Sequence, residues 1–393
     1  MKKVVLAYSG GLDTTCCLRW LRDRGFEVIC FSADLGSEFS PEDIRTRAGQ
    51  GGAVNTYVMD LKKEFAQEYV LPSLSAGAVY QGKYLLSTAL GRPLIAKYLT
   101  EIARKEGAGY LAHGCTGKGN DQVRIEVNAH LLAPELKIIA PLREWELTSR
   151  EAEIEYAKKH GLTHDASAEK IYSIDQNLWG ISVEGGILED PGQDVPLNSY
   201  YQVNPPEKTP DTLQDVEISF EEGVPVRLNG QPISFIGCVQ ELNEIGARHG
   251  IGRTDLIEDR VVGIKSREIY EAPAAWILHT ALRELEHMTL DRETLAFKSF
   301  VAEKYAQLVY QGLWFSPLKT GLDEFAKSLR PRITGTIRLG LFRGLITVRR
   351  RFAPHALYQK EIATYGEGSS FDPSHAEGFI RLWEMPFIRK ENT

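Results

Sequence analysis

The stretch Val4-Val5-Leu6-Ala7-Tyr8-Ser9-Gly10-Gly11-Leu12-Asp13-Thr14-Thr15 decides how this chain is read. Its apolar start is a buried strand, its two glycines are a tight turn, and a helix opens near Asp13. Consecutive backbone N–H groups at such a turn form a concavity for anions, and the helix N-terminus adds partial positive charge. Gly10 and Gly11 let a phosphate chain come close to the backbone with no Cβ in the way. The hydroxyls of Ser9, Thr14 and Thr15 can donate to the same oxygens. Ser-Gly-Gly alone reads as an ordinary strand-to-helix turn. The added Asp and the paired threonines, at the first strand-helix junction, shift the reading to nucleotide binding.

The loop lacks the Gly-x-x-x-x-Gly-Lys-Ser/Thr of a P-loop and the Gly-x-Gly-x-x-Gly of a dinucleotide site. It resembles the pyrophosphate loop of ATP pyrophosphatases, enzymes that split ATP into AMP and pyrophosphate. That resemblance implies adenylation of a substrate oxygen, after which a nitrogen or sulfur nucleophile displaces AMP.

Outward from this loop, residues 3–7, 26–32, 54–59, 110–112 and 136–140 read as strands. Helices are expected over 14–24, from Pro41, over 93–105, over 121–132, and from Thr148-Ser149-x-Glu151 to His160. Strands separated by helices predict an α/β fold. Its first domain, residues 1–165, is a doubly wound parallel sheet with ligands at the carboxyl ends of the strands. After about residue 165 the texture changes. Residues 172–196 read as loop-rich, and 201–211, with three prolines, as a connector. Strands at 216–219 and 224–228, helices at 235–249, 273–287 and 292–311, and a hairpin over 334–351 predict a larger α+β domain, 166–365. A glycine-serine linker at 366–370 leads to an amphipathic helix at 374–383, so 366–393 reads as a C-terminal oligomerisation tail. The run Arg349-Arg350-Arg351 reads as a solvated strand end.

Composition excludes several classes. The 393 residues suffice for two or three domains, and the net charge of −7 lacks the basic excess of a nucleic-acid binder. No apolar run approaches the roughly 18 residues of a membrane span, and no secretion signal is expected at the N-terminus. Five cysteines, with no Cys-x-x-Cys, suit the reducing cytoplasm, and adjacent Cys16 and Cys17 read as helix core.

The second strong signal is Gly114-Cys115-Thr116-Gly117-Lys118-Gly119-Asn120-Asp121-Gln122-x-Arg124-x-Glu126, after the strand at 110–112. Its glycines expose backbone donors and Lys118 offers a mobile charge. Asn120 and Arg124 share one helix face at i, i+4. Arg124 suits a substrate carboxylate, gripped bidentately, and Asp121 suits an α-amino group. A flexible loop before a capped helix is the alternative. Two glycine-rich anion loops on one sheet weigh against it.

Together with Tyr84-Leu-Leu-Ser-Thr-Ala-Leu-Gly-Arg-Pro93, Tyr172-Ser-Ile-Asp-Gln-Asn-Leu178, Ser182-x-Glu-x-Gly-Ile-Leu-Glu-Asp-Pro191, Gly252-Arg-x-Asp255 with Glu258, and Lys265-Ser-Arg-x-Ile-Tyr270, these motifs resemble the argininosuccinate synthase family over nearly the whole chain. The resemblance implies a ligase that joins citrulline to aspartate at the expense of ATP, through citrullyl-AMP. ATP would be held by Ala7, Tyr8, Ser9, Gly10, Gly11, Leu12, Asp13, Thr14, Thr15, Ala33 and Gly114. Aspartate would be held by Thr116, Asn120 and Asp121. Citrulline would be held by Tyr84, Thr88, Asn120, Arg124, Ser173, Ser182, Glu258 and Tyr270. Asp121 and Arg124 would act by positioning, with no covalent nucleophile. Mg²⁺ would accompany the nucleotide without a side-chain metal site, and the chain would form a homotetramer with no nucleic-acid or membrane partner. Taken singly, Tyr84, Ser173 and Tyr270 read as structural.

The chain departs from the family pattern at three places: Thr15 and Ala89 stand where serine is usual, and Ser37 where glutamine is usual. Thr88 is the candidate to replace the hydroxyl missing at Ala89. Two other readings are open at this point, a tRNA-modifying ATP pyrophosphatase and a non-catalytic nucleotide sensor. The acidic balance weighs against the first, and the long second domain with its ordered polar motifs against the second.

Overall fold

The computed structural model describes residues 2–37, 40–147, 149–163 and 172–388. In its first part, β1 (Lys2–Ala7) leads to α1 (Leu12–Asp23), then β2 (Phe26–Asp34), α2 (Pro41–Gly51) and β3 (Asn55–Asp60). A helical segment follows: α3 (Lys62–Glu64), a π-turn over Phe65–Val70, and α4 (Leu71–Ala76). Then come α5 (Ser87–Glu106), β4 (Tyr110–Ala112), α6 (Asn120–Leu132), β5 (Lys137–Ile139), α7 (Pro141–Glu144) and α8 (Arg150–Lys159). The strands form one parallel sheet in the order β3-β2-β1-β4-β5. The order in which strands are added reverses between β1 and β4, the switch point where such sheets bind ligands.

β1 shows why the sheet is double-faced. Val4 and Leu6 pack with α1, α2 and α8 on one side, while Val5 packs with α5 and α6 on the other. Side chains alternate along a strand, so an apolar run without polar breaks requires cover on both faces. Ser40 caps α2 by accepting from Asp43 N, and Ser149 caps α8 by accepting from Ala152 N.

The helix expected from residue 93 begins instead at Ser87, with Pro93 in its interior. Proline removes one backbone donor there. Packing outweighs that loss: Ser87, Thr88, Ala89, Leu90 and Gly91 are all buried, and a Cβ on Gly91 would lie 2.9 Å from Leu35 Cδ1.

The second part holds β6 (Ser173–Asn177), β7 (Gly180–Glu184), β8 (Gln214–Glu221), β9 (Val224–Leu228), β10 (Gln231–Pro232), α9 (Phe235–Arg248), β11 (Arg253–Asp259) and β12 (Lys265–Glu271). It continues with α10 (Pro273–Thr289), α11 (Arg292–Tyr310), α12 (Pro317–Leu329), β13 (Gly335–Phe342), β14 (Leu345–Phe352), α13 (Lys360–Ala363) and α14 (Ser374–Glu384). Two antiparallel sheets result, ordered β11-β12-β7-β6 and β10-β9-β8-β13-β14. The segment read as loop-rich therefore contains the β6–β7 hairpin, whose Ile181 and Val183 are buried with Ile269 of β12. Arg349 and Arg351 lie on the exposed edge strand β14, Arg351 paired with Glu284 at 2.6 Å, in keeping with a solvated strand end.

α5 joins the two parts. Asn177 Nδ2 donates to Ser87 O at 2.7 Å, and Trp179 Nε1 donates to Leu85 O at 2.9 Å. No described helix is long and apolar enough to cross a membrane. α14 buries none of its residues in the single chain. The expected boundary near residue 165 falls outside the described residues.

Candidate active site

The turn after β1 is shaped by Gly10. Its φ is +75°, and a Cβ there would lie 2.6 Å from Ile44 Cδ1 of α2. Only glycine meets both demands. Gly11 caps α1 with extended backbone and no side-chain hydrogen bond, so the helix presents uncapped N–H groups. Ser9 Oγ lies 3.0 Å from Thr14 Oγ1, and Gly11 N donates to Ser9 Oγ at 3.4 Å. Thr15 points the other way: its hydroxyl is buried 3.1 Å from the Tyr8 phenol. Of the three hydroxyls expected to serve the loop, Ser9 and Thr14 stay at it and Thr15 braces the core. Arg47 Nη1 donates to Gly10 O at 3.4 Å, which places a cation beside the turn. Ala33 lies near the end of β2, two residues beyond the Phe31 that pairs with Ala7.

Behind α1, Glu153 of α8 is buried, and burial first, then the neighbouring Asp13, raises its carboxyl to about 8. Burial likewise raises the thiols of Cys16 and Cys115 to about 12. Such thiols are protonated near neutrality and are not nucleophiles.

The turn after β4 is framed from behind. His113 Nδ1 accepts from Cys115 N at 3.2 Å, so Nε2 carries the proton and donates to Glu126 Oε1 at 2.9 Å. Arg143 Nη1 lies 2.8 Å from the same oxygen, and Gln122 Nε2 donates to Gly117 O at 2.5 Å. Gly119 caps α6 without a side-chain bond, leaving a second free helix N-terminus. The two loops touch: a Cβ on Gly114 would lie 3.0 Å from Thr14 Cγ2 and 3.6 Å from Cys17 Sγ. Thr116 and Lys118 are exposed at its surface.

The first turn of α6 feeds a cluster assembled from both parts of the chain. Asp121 takes Arg92 Nη2 at 2.7 Å and Arg124 Nη1 at 2.9 Å. Burial alone would raise this carboxyl, but the two guanidinium groups prevail and hold it below the ordinary aspartate value. Arg92 also pairs with Asp175 of β6. Arg124 Nε donates to Tyr310 O at 2.9 Å, and its guanidinium sits 4.6 Å from the Tyr310 ring centre. Glu258 is 1% exposed and accepts from the hydroxyls of Tyr270 and Tyr310, each at 2.5 Å. Burial raises its carboxyl, against the pull of those two donors. Tyr84 stacks on Tyr270 with ring centres 3.9 Å apart, and Tyr80 on Tyr310 at 3.7 Å. Thr88 Oγ1 lies 3.0 Å from Ser182 Oγ.

The structure therefore brings together Asn120, Asp121 and Arg124, a Glu258–Tyr270–Tyr84 group, and the Thr88–Ser182 pair. Ser173 is exposed at the start of β6, two residues before the Asp175 that faces Ser182 and pairs with Arg92. Three residues of the cluster escaped sequence reasoning: Arg92, Tyr80 and Tyr310. Arg92 lay inside a quoted motif, and its charge next to a helix-breaking proline was the available signal. Tyr310 lies at the end of the helix expected over 292–311, and nothing local marks it.

Comparison with known proteins agrees with this architecture. Residues 3–163 match the family described as "Arginosuccinate synthase N-terminal HUP domain", and residues 172–389 match "Arginosuccinate synthase C-terminal domain". The argininosuccinate synthase of Caldanaerobacter subterraneus is 51% identical over 385 residues, 98% of this chain and 94% of that protein. That of Rubrobacter xylanophilus is 51% identical over 388 residues, 99% of this chain and 95% of the relative. That of Chlorobium phaeobacteroides is 50% identical over 385 residues, 98% and 96% of the two chains. With two touching glycine loops at its switch point and family matches across both parts, the chain belongs to the argininosuccinate synthase family.

Proposed function

We propose that the protein condenses L-citrulline with L-aspartate to argininosuccinate, converting ATP to AMP and pyrophosphate, as a step of arginine biosynthesis. The observation that carries this reading is the contact between the two loops at Gly114 and Thr14, beside a cluster with separate cationic and anionic ends. A phosphate-holding turn and an amino-acid-holding helix start are thereby neighbours.

Residues 7–14, the backbone of Thr15, Ala33 and Gly114 hold ATP, with the pyrophosphate portion at the N-terminus of α1 and Mg²⁺ arriving with the nucleotide; the Thr15 hydroxyl stays in the core. Citrulline lies among Tyr84, Thr88, Asn120, Arg124, Ser173, Ser182, Glu258 and Tyr270, its carboxylate toward Arg124 and its ammonium toward Glu258. The ureido oxygen attacks the α-phosphorus, and the bond from that phosphorus to the bridging oxygen of pyrophosphate breaks. Aspartate, held by Thr116, Asn120 and Asp121, attacks the activated carbon with its neutral amine. The carbon–oxygen bond breaks, AMP leaves with the ureido oxygen, and the amine proton passes to solvent. Asp121, kept ionised by Arg92 and Arg124, orients the amine. Catalysis is positioning plus preorganised charge.

The remaining assignments accompany this reading. A nucleotide domain over 1–165 and a synthetase domain over 166–365 carry the chemistry, and the tail over 366–393 assembles a cytoplasmic homotetramer. The exposed Phe379, Ile380, Leu382 and Trp383 of α14 support the assembly role.

The test is product analysis. AMP and pyrophosphate should form only when ATP, citrulline and aspartate are all present; ADP with inorganic phosphate would refute the reading. With heavy oxygen in the ureido group of citrulline, one labelled atom should finish in AMP, and unlabelled AMP would exclude citrullyl-AMP.

A further inference from the structure

We propose that Tyr310 is a positioning residue for citrulline, one that sets the charge state and aim of Glu258 while it anchors Arg124. The inference rests on the citrulline assignment above.

The hydrogen bonds around Tyr310 run in one direction. Val261 N donates to Asn120 Oδ1 at 2.9 Å, which turns the Asn120 amide nitrogen toward Tyr310. That nitrogen can only donate, and it does so to the Tyr310 hydroxyl at 2.8 Å. The single phenolic proton therefore goes to Glu258 Oε1 at 2.5 Å. A proton on Oε1 would face the Tyr310 proton head-on, and one on Oε2 would require the Tyr270 hydroxyl to reverse. The network accepts Glu258 as a carboxylate, despite its burial.

The phenol is held rigidly. Tyr310 is 1% exposed, and its ring is covered by Tyr80 on one face. Gly312 just beyond it has φ +76°, and a Cβ there would lie 2.7 Å from Arg124 Cα. The end of α11 is thus pressed onto α6, and Arg124 is bound to the Tyr310 carbonyl. One residue orders both charged ends of the citrulline site.

Other groups face Glu258. Arg124 of α6 and Arg260, just past β11, favour its ionised form. Glu268 of β12 lies near enough to interact with it and is itself raised to about 8, chiefly by burial. Tyr80 and Tyr84 stay neutral, their hydroxyls raised first by burial.

The test is Tyr310→Phe, which keeps the ring, its stacking and its carbonyl. A hydrogen bond to the charged form lowers a carboxyl pKa, so losing it raises Glu258. The acid limb of kcat/KM for citrulline should move up by about one pH unit, and on that limb KM for citrulline should rise about tenfold. KM for ATP should change less than about twofold by the same argument. In a Glu258→Gln background, where that group no longer titrates, the Phe substitution should leave the pH profile unchanged. An acid limb that stays in place in Tyr310→Phe, with or without a lower Tm, overturns the proposal. Should that variant not fold, 3,5-difluorotyrosine at 310 keeps the shape and strengthens the donor; the limb must then move to lower pH, and a fixed limb again overturns it. A wild-type protein that makes no argininosuccinate would instead refute the functional reading.

Discussion

Thr88 Oγ1 lies 3.0 Å from Ser182 Oγ, so a hydroxyl of α5 meets one of β7 across the junction of the two parts of the chain. Ala89, where the family resemblance leads one to expect serine, is fully buried, and its backbone N donates to the Tyr84 hydroxyl at 3.1 Å. A serine hydroxyl at 89 is absent, and the one at 88 is paired with a residue assigned to citrulline.

Thr88→Val keeps the shape and removes that hydroxyl. A neutral hydrogen bond contributes about 0.5–1.5 kcal/mol, so KM for citrulline should rise roughly two- to tenfold. Thr88→Ser should stay within about twofold of wild type on the same argument. Steady-state kinetics with citrulline varied checks both, and an unchanged KM in Thr88→Val would remove Thr88 from the site.

Arg124→Ala should raise the citrulline requirement far more than that for ATP. A bond to a charged group is worth about 1.5–3 kcal/mol, which corresponds to roughly ten- to 150-fold in affinity. Because Arg124 also holds the Tyr310 carbonyl, the variant should unfold at a lower temperature as well. Equal loss for ATP and citrulline would reassign Arg124 to a structural role.

Glu153 makes stability fall with rising pH. Folded, its carboxyl keeps a proton up to about pH 8 because of burial and then Asp13. Unfolded, it ionises near about pH 4.3. Between those values the folded state binds the extra proton, so its stabilising contribution is complete at low pH and lost as pH climbs through the folded value. Glu153→Gln should raise Tm by about 2–4 °C or more at about pH 8 and give no gain at about pH 4. A gain that is the same at both pH values would show that charge is not the cause.

Removal of the residues after Gly368 should lower the mass of the assembly in analytical ultracentrifugation. The deleted segment carries Phe379, Ile380, Leu382 and Trp383, all more than half exposed in the single chain. An unaltered sedimentation profile would show that α14 does not join subunits.

The parallel sheet was legible because its signals are local: the unbroken apolar run of β1, Pro41 at the start of α2, the Ser149 cap of α8, and the glycines at the turns. The β11–β12 and β6–β7 hairpins were not, because their polar residues are partnered with one another. Arg253 pairs with Glu271, Arg267 with Asp255, and Arg260 with both Glu184 and Glu268. Such strands carry charge where alternation would look for apolar residues. The early start of α5 was hidden by Pro93, whose lost donor counts for less than the packing of Gly91 on Leu35. Around the site, Asn120 and Arg124 announce themselves by helical spacing. Tyr80 and Tyr310 lie far apart in the chain and meet only through stacking that no spacing encodes.

The order in which these pieces occur along the chain has a consequence for synthesis. The turn at Gly10 rests on Ile44 and Arg47 and is touched by Gly114, while the tyrosine that orders Glu258 and Arg124 comes at position 310. Every residue that shapes the first glycine turn is therefore on a growing chain well before the residue that orders the charged cluster has been made.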